Sequence, residues 1–229
     1  MYKIKLYLEL LTTVWILSFA HGSISQNLDE IPFWKMSAGI WLNNATYLSP
    51  KFEPRIRSYQ SLTQIEVSQQ EVVTTEWKFY PAGGFQGSAI GLDIDAAVGV
   101  QFRQVYVAVS QGEGRVKIHD APGQRPQQIN EISPVAEDTA IYRVFDKQTG
   151  ADHYRMLITL VGDYRYVSNL GLDSHPLASD QLGALRGISF FYGKRIGQAA
   201  LESELSRLNE TFEVGAIVEY KNGKYRLVP

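Results

Sequence analysis

From Gly39 onward the chain alternates apolar and polar side chains with a period of two, in one stretch after another, separated by short connections. A period of two sends successive side chains to opposite faces of a strand. In Pro54 to Val67, Ile56 and Leu62 fall on one parity, and Arg57, Tyr59, Ile65 and Val67 on the other. In Glu71 to Tyr80 the faces are Val73, Thr75, Trp77, Phe79 and Thr74, Glu76, Lys78, Tyr80. Further strands are expected at Ser37 to Leu48, Gln101 to Ser110, Gly112 to Ile118, Thr139 to Phe145, His153 to Val161 and Tyr164 to Leu170. Pro81-Ala82-Gly83-Gly84 and Gln148-Thr149-Gly150 read as turns, and Pro122 to Pro134 and Asp173 to Leu182 as polar loops. Gly84 to Val100 reads as a loop or a strand edge. About nine or ten neighbouring strands without crossover helices call for an all-β, antiparallel up-and-down β-barrel.

One stretch breaks the pattern. Ile188 to Tyr192 alternates as a strand, the chain turns at Gly193-Lys194-Arg195, and a helix follows over about 197–212. Leu201, Leu205, Leu208 and Phe212 fall at helical spacing on one face, which must be buried against the barrel. A C-terminal hairpin over 214–228 turns at Asn222-Gly223.

The 229 residues suffice for one domain, expected at 21–229, with 45% hydrophobic residues to build its core. A net charge of −2 with no basic stripe argues against nucleic acid as a partner. Lys3 and Lys5, an apolar run from Leu10 to Ala20 and the small residues Ser18 and Ala20 read as a secretory signal peptide over 1–20. The run is short for a bilayer span, so the mature chain is expected to be secreted or periplasmic and soluble, without a membrane span. The absence of cysteine removes disulfides, thiolate metal sites, a cysteine nucleophile and a lipoprotein anchor. Four scattered histidines and the sparse Asp93-Ile94-Asp95 hold no metal, no phosphate-cradling glycine loop occurs, and no cofactor is expected.

Three places in order resemble the lipocalin family of the calycin superfamily, as a distant member. Gly39-Ile40-Trp41 is similar to the family's Gly-x-Trp in the first strand. Gly162-Asp163-Tyr164-Arg165-Tyr166 is similar to its Asp-Tyr loop, and Tyr192-Gly193-Lys194-Arg195 to its last strand and basic residue before the helix. The resemblance implies a barrel closed by Gly39, Trp41, Asp163, Tyr164 and a cation stacked on Trp41, either Lys194 or Arg195. Lys stands where the family has Arg, so Arg195 or Arg186 is an alternative partner. An extra hairpin between Gln101 and Ile118 and an insertion over Leu172 to Ala184 depart from the family pattern.

A barrel of this kind implies an exported protein that binds a small hydrophobic ligand. Arg57 and Tyr59 share a face and suit a carboxylate or oxygen-rich head group; Trp77, Phe79, Gln104 and Tyr106 are further cavity candidates. An isomerase or cyclase acting on a hydrophobic metabolite is the alternative, with His153, Glu76 and Tyr80 as acid/base groups. A structural or partner-binding protein is expected if bulky side chains fill the barrel. Asn44 and Asn209 begin glycosylation sequons, of which Asn209, at the helix end, is the expected accessible one.

Overall fold

The computed structural model describes residues 27–48, 54–85, 87–121, 124–172, 185–221 and 223–228. Ten strands form an up-and-down meander in which each pairs antiparallel with the next. They are β1 (Gly39–Leu48), β2 (Pro54–Val67), β3 (Glu71–Tyr80), β4 (Gly99–Gly112), β5 (Arg115–Ile118), β6 (Gln128–Pro134), β7 (Thr139–Asp146), β8 (Asp152–Val161), β9 (Tyr164–Leu172) and β10 (Leu185–Ile196). The last strand returns to the first, with Arg195 opposite Trp41, and the barrel closes. Lipocalins have eight strands; the β4–β5 hairpin, turning at Gly112-Glu113-Gly114, belongs to the barrel wall and helps raise the number to ten.

Residues 128–134, expected as loop, form β6, with Asn130 opposite Val144. Gln, Asn and Pro have low strand propensity, but a strand flanked on both sides adopts the conformation its neighbours' ladders impose. Beyond the closed wall, β11 (Val214–Lys221) lies parallel to the first half of β4, and β12 (Lys224–Val228) pairs antiparallel with β11. On β4, β5 takes the second half, while its other edge pairs with β6. The signal segment and, apart from Leu172 at the end of β9, the insertion expected over Leu172 to Ala184 lie outside the described residues. No helix among the described residues is long and apolar enough to cross a membrane.

Two helices serve the barrel differently. The first, α1 (Pro32–Ser37), packs across the end where β1 begins and β10 ends. Pro32 starts it, where a missing N–H costs nothing. Phe33 and Trp34 are buried among Trp41, Ile65, Val116 and Leu160, and the Trp34 indole N–H donates to the Gly114 carbonyl at 2.7 Å. This helix is therefore a plug beneath the barrel. The second, α2 (Leu201–Thr211), follows a 3-10 turn and lies on the outer wall. Its Leu201 and Leu208, with Leu205 and Phe212 beside them, bury Ile40, Leu62, Trp77 and Phe79. Leu208→Ala should lower unfolding free energy by about 2–5 kcal/mol in urea titration, without altering the interior.

The barrel-closing contact uses Arg195. Its guanidinium carbon lies 4.4 Å from the Trp41 ring centroid, and its N–H groups donate to the carbonyls of Met36 and Ala38. Arg195 also sits 3.5 Å from an Asp163 carboxylate oxygen, and its backbone N–H donates to the Asp163 carbonyl at 2.8 Å. Trp41 is fully buried and donates its indole N–H to the Ser37 carbonyl at 2.9 Å. Lys194 points outward and is exposed, because strand alternation gives the inner face to Gly193 and Arg195. Gly39 has φ of +123°, and a Cβ there would stand 2.9 Å from Arg195 Nη1. Glycine is thus required twice over, by backbone conformation and by close approach. Tyr164 lies on the outer wall, stacked on Tyr192 with centroids 5.7 Å apart.

Candidate functional site

Side chains do not fill the barrel: a cavity of about 580 Å³ remains inside. Alternation decides its lining. The inward residues are odd-numbered on β1, β2, β9 and β10, and even-numbered on β3, β4, β6 and β7. On β8 the inward set is Tyr154, Met156 and Ile158. A register shift between Val144 and Phe145 accompanies the departure of His153, which also borders the cavity.

The lining is layered. Next to the Trp41 plug lies a polar floor. Asn43 Nδ2 donates to Thr63 Oγ1 at 3.0 Å and to Ser61 Oγ at 3.2 Å. Gly193 makes room for it, since a Cβ there would stand 2.3 Å from Asn43 Oδ1. Glu76 receives both Lys78, at 3.2 Å, and the Gln104 amide, at 2.5 Å, on one carboxylate oxygen. Across the cavity the Tyr142 hydroxyl donates to Asn130 Oδ1 at 3.0 Å. Arg165 enters from β9, opposite Gly193 on β10.

Toward the other end the lining turns aromatic. Tyr59 and Tyr80 have centroids 5.1 Å apart, and Phe191 lies 6.1 Å from Tyr59. Tyr80 continues to Phe85 at 5.3 Å, and Phe85 to Phe102 at 6.0 Å. Tyr225 of β12 completes this border, 6.0 Å from Phe102.

Electrostatics favour neutral phenols beside charged groups. Burial pushes the Tyr106 hydroxyl above its ordinary pKa, and the Glu76 carboxylate adds to the effect. Burial likewise raises Tyr142. Both therefore remain neutral hydrogen-bond donors. Burial also lowers the pKa of Arg165, an effect that Tyr106 and Glu76 oppose. A guanidinium is protonated at physiological pH.

Several candidates from the sequence come together here. Tyr59, Gln104 and Tyr106 line the cavity, as do Glu76, Tyr80 and His153. The side chain of Arg57, in β2, lies outside the described residues. Trp77 and Phe79 face the opposite way, outward beneath α2, and must be removed from the cavity set. The assignment of the more apolar face of β3 to the interior fails because the helix supplies a second apolar layer outside the barrel. Among the described residues no carboxylate is hydrogen-bonded to His153: Asp152 is held by Arg143, at 2.7 Å, and by Arg155, and Asp146 acts on it only through space. His153 Nε2 is buried without a hydrogen-bond partner. Asn44 is exposed on the outer wall and accepts from Gln60 at 2.6 Å, whereas Asn209 is half-buried with a buried Oδ1, the reverse of the expected accessibility.

Sequence reasoning missed Lys78, Tyr142, Asn130 and Arg165 as cavity residues. For Lys78 the signal was present, since it shares parity with Glu76 and Tyr80. Arg165 falls both in the expected strand Tyr164 to Leu170 and in the motif similar to the Asp-Tyr loop; in β9 it has inward parity and lines the cavity.

No group of three or more acidic or histidine side chains among the described residues could hold a metal. No protein-family model matches the chain, and no curated protein matches it. Among solved structures the chain is similar to the S-type phycobiliprotein lyase CPES from Guillardia theta, at 12% identity and a TM-score of 0.45, over 76% of this chain and 94% of that one. It is also similar to Rv2717c from M. tuberculosis, at 11% identity and a TM-score of 0.36, over 72% of this chain and 94% of that one. A redesigned beta barrel is similar at 9% identity and a TM-score of 0.30, over 73% of this chain and 98% of that one.

Proposed function

We propose that this chain is an exported, lipocalin-like barrel protein that holds a small, largely apolar ligand with one oxygen-rich end inside the barrel. The observation that carries the reading is the layered cavity of about 580 Å³, aromatic toward one end and hydrogen-bonding at the other. An apolar body placed against Tyr59, Phe85, Phe102 and Phe191 gains roughly 25 cal/mol per Å² removed from water, before ordering costs. The polar floor offers amide, hydroxyl and phenol groups to the ligand's other end. Native mass spectrometry of the mature protein from its own host, beginning after Ala20, should show a defined small-molecule adduct. An empty protein that also fails to bind an added apolar fluorophore would overturn the reading.

A second reading has one observation in its favour: Glu76, Tyr80, Tyr106 and His153 border the same cavity, so acid and base groups converge on one volume. In that reading an isomerase or cyclase would transfer protons within the barrel. The container is preferred because Glu76 is already engaged by Lys78 and Gln104, and among the described residues no carboxylate is hydrogen-bonded to His153. Turnover of a bound metabolite that Glu76→Gln abolishes without displacing it would favour the enzyme.

A further inference from the structure

We infer that the ligand's polar end is a carboxylate and that Arg165 receives it at the floor of the cavity. The inference rests on the container reading and adds the charge and orientation of the guest. Arg165 projects inward from β9. Its guanidinium makes no hydrogen bond and no ion pair with any described residue. The contrast with the other interior ions is direct. Lys78 and Glu76 neutralise each other at 3.2 Å, and Gln104 adds a further donor to the same carboxylate. Three formal charges border the cavity among the described residues: Glu76, Lys78 and Arg165. One negative and two positive charges leave the interior with an excess of one positive charge, carried by Arg165.

Glu76 acts on Arg165 only from beyond ion-pair distance, and an enclosed cation without a counter-ion in contact is costly, so a site built around it selects a partner of opposite sign. The planar guanidinium fork matches the two oxygens of a carboxylate. Tyr106, kept neutral by burial and close enough to feel the charge of Arg165, offers an O–H to the same oxygens. A dianion such as a phosphate monoester would bring a second negative charge beside Glu76 with no cation to meet it. The guest therefore lies head down, with its carboxylate at Arg165 and its apolar body among the rings of Tyr59, Phe85 and Phe102.

The test compares two probes of equal chain length, dodecanoate and dodecanol, by calorimetric titration at neutral pH. Wild-type protein should bind dodecanoate about tenfold to a hundredfold more tightly than dodecanol, the range of a charge-assisted hydrogen bond. In Arg165→Met and Arg165→Gln that preference should vanish while dodecanol affinity stays within about threefold. Dodecanol binding is thus also the check on folding. Equal affinities in the wild type would overturn the carboxylate assignment and leave the container standing. A preference that persists in the neutral variants would likewise overturn the role of Arg165. Loss of dodecanol binding in both variants would make Arg165 a support of the barrel and not of the ligand. Wild-type protein that binds neither probe would remove the container and the head-group site together.

Discussion

Trp41→Ala should lower the unfolding free energy by about 3–5 kcal/mol, the range for removing a large aromatic side chain from a packed core. Trp41 is fully buried at the junction of plug, wall and closing strand, and its loss empties space between α1 and the cavity floor. Arg195→Ala should cost about 2–3 kcal/mol, because the carbonyls of Met36 and Ala38 lose their donors and the indole face loses its cover. The two losses describe one contact, so the double variant should be less destabilised than the sum by about 1 kcal/mol or more. Arg195→Lys should recover only part of the deficit, since an ammonium cannot stack on the ring and bridge two carbonyls with a planar fork. Urea titrations of the four proteins decide the matter. Strict additivity would mean that Arg195 and Trp41 contribute independently, and that the stacked pair is not what shuts this end.

That contact was the most legible part of the molecule. Gly39 and Trp41 share one local pattern that specifies their strand. The cation, far away in sequence, stays open among Lys194, Arg195 and Arg186 and is read at a turn. In fact β10 runs on to Ile196, and alternation then gives Arg195 the inner face opposite Trp41. The antiparallel meander was legible for the same reason, because alternation is a local property. The ten-strand closure was less so: β6 carries polar residues on both faces, and only the flanking strands make it extended. The lining of the cavity was harder still. Alternation separates the faces of a strand without saying which is inside, and the bias toward apolar interiors is misleading here. On β3 the apolar face meets α2, and the face with Glu76 and Lys78 meets the cavity. The amphipathic pattern of α2 held the clue, because a helix with one apolar stripe on a barrel requires an apolar patch on the barrel's outside.

The interior charges yield a second large effect. Lys78→Met leaves Glu76 enclosed with Gln104 as its remaining close partner, and breaking such a pair typically costs about 3–5 kcal/mol. The cavity side of this pair is not fully dry, so the lower end of that range is expected. The deficit is read in urea titrations at neutral pH. Adding Glu76→Gln should restore most of the lost stability at neutral pH, because the charge that needed Lys78 is gone. The same series titrates the interior field without touching Arg165. Relative to the wild-type excess of one positive charge, Glu76→Gln raises the excess by one, Lys78→Met cancels it, and the double variant returns it to the starting value. Preference for dodecanoate over dodecanol should follow that order, highest in Glu76→Gln, equal in wild type and double variant, lowest in Lys78→Met. A preference that tracks stability instead of charge would mean that the floor is selected for packing, with its ions serving only one another.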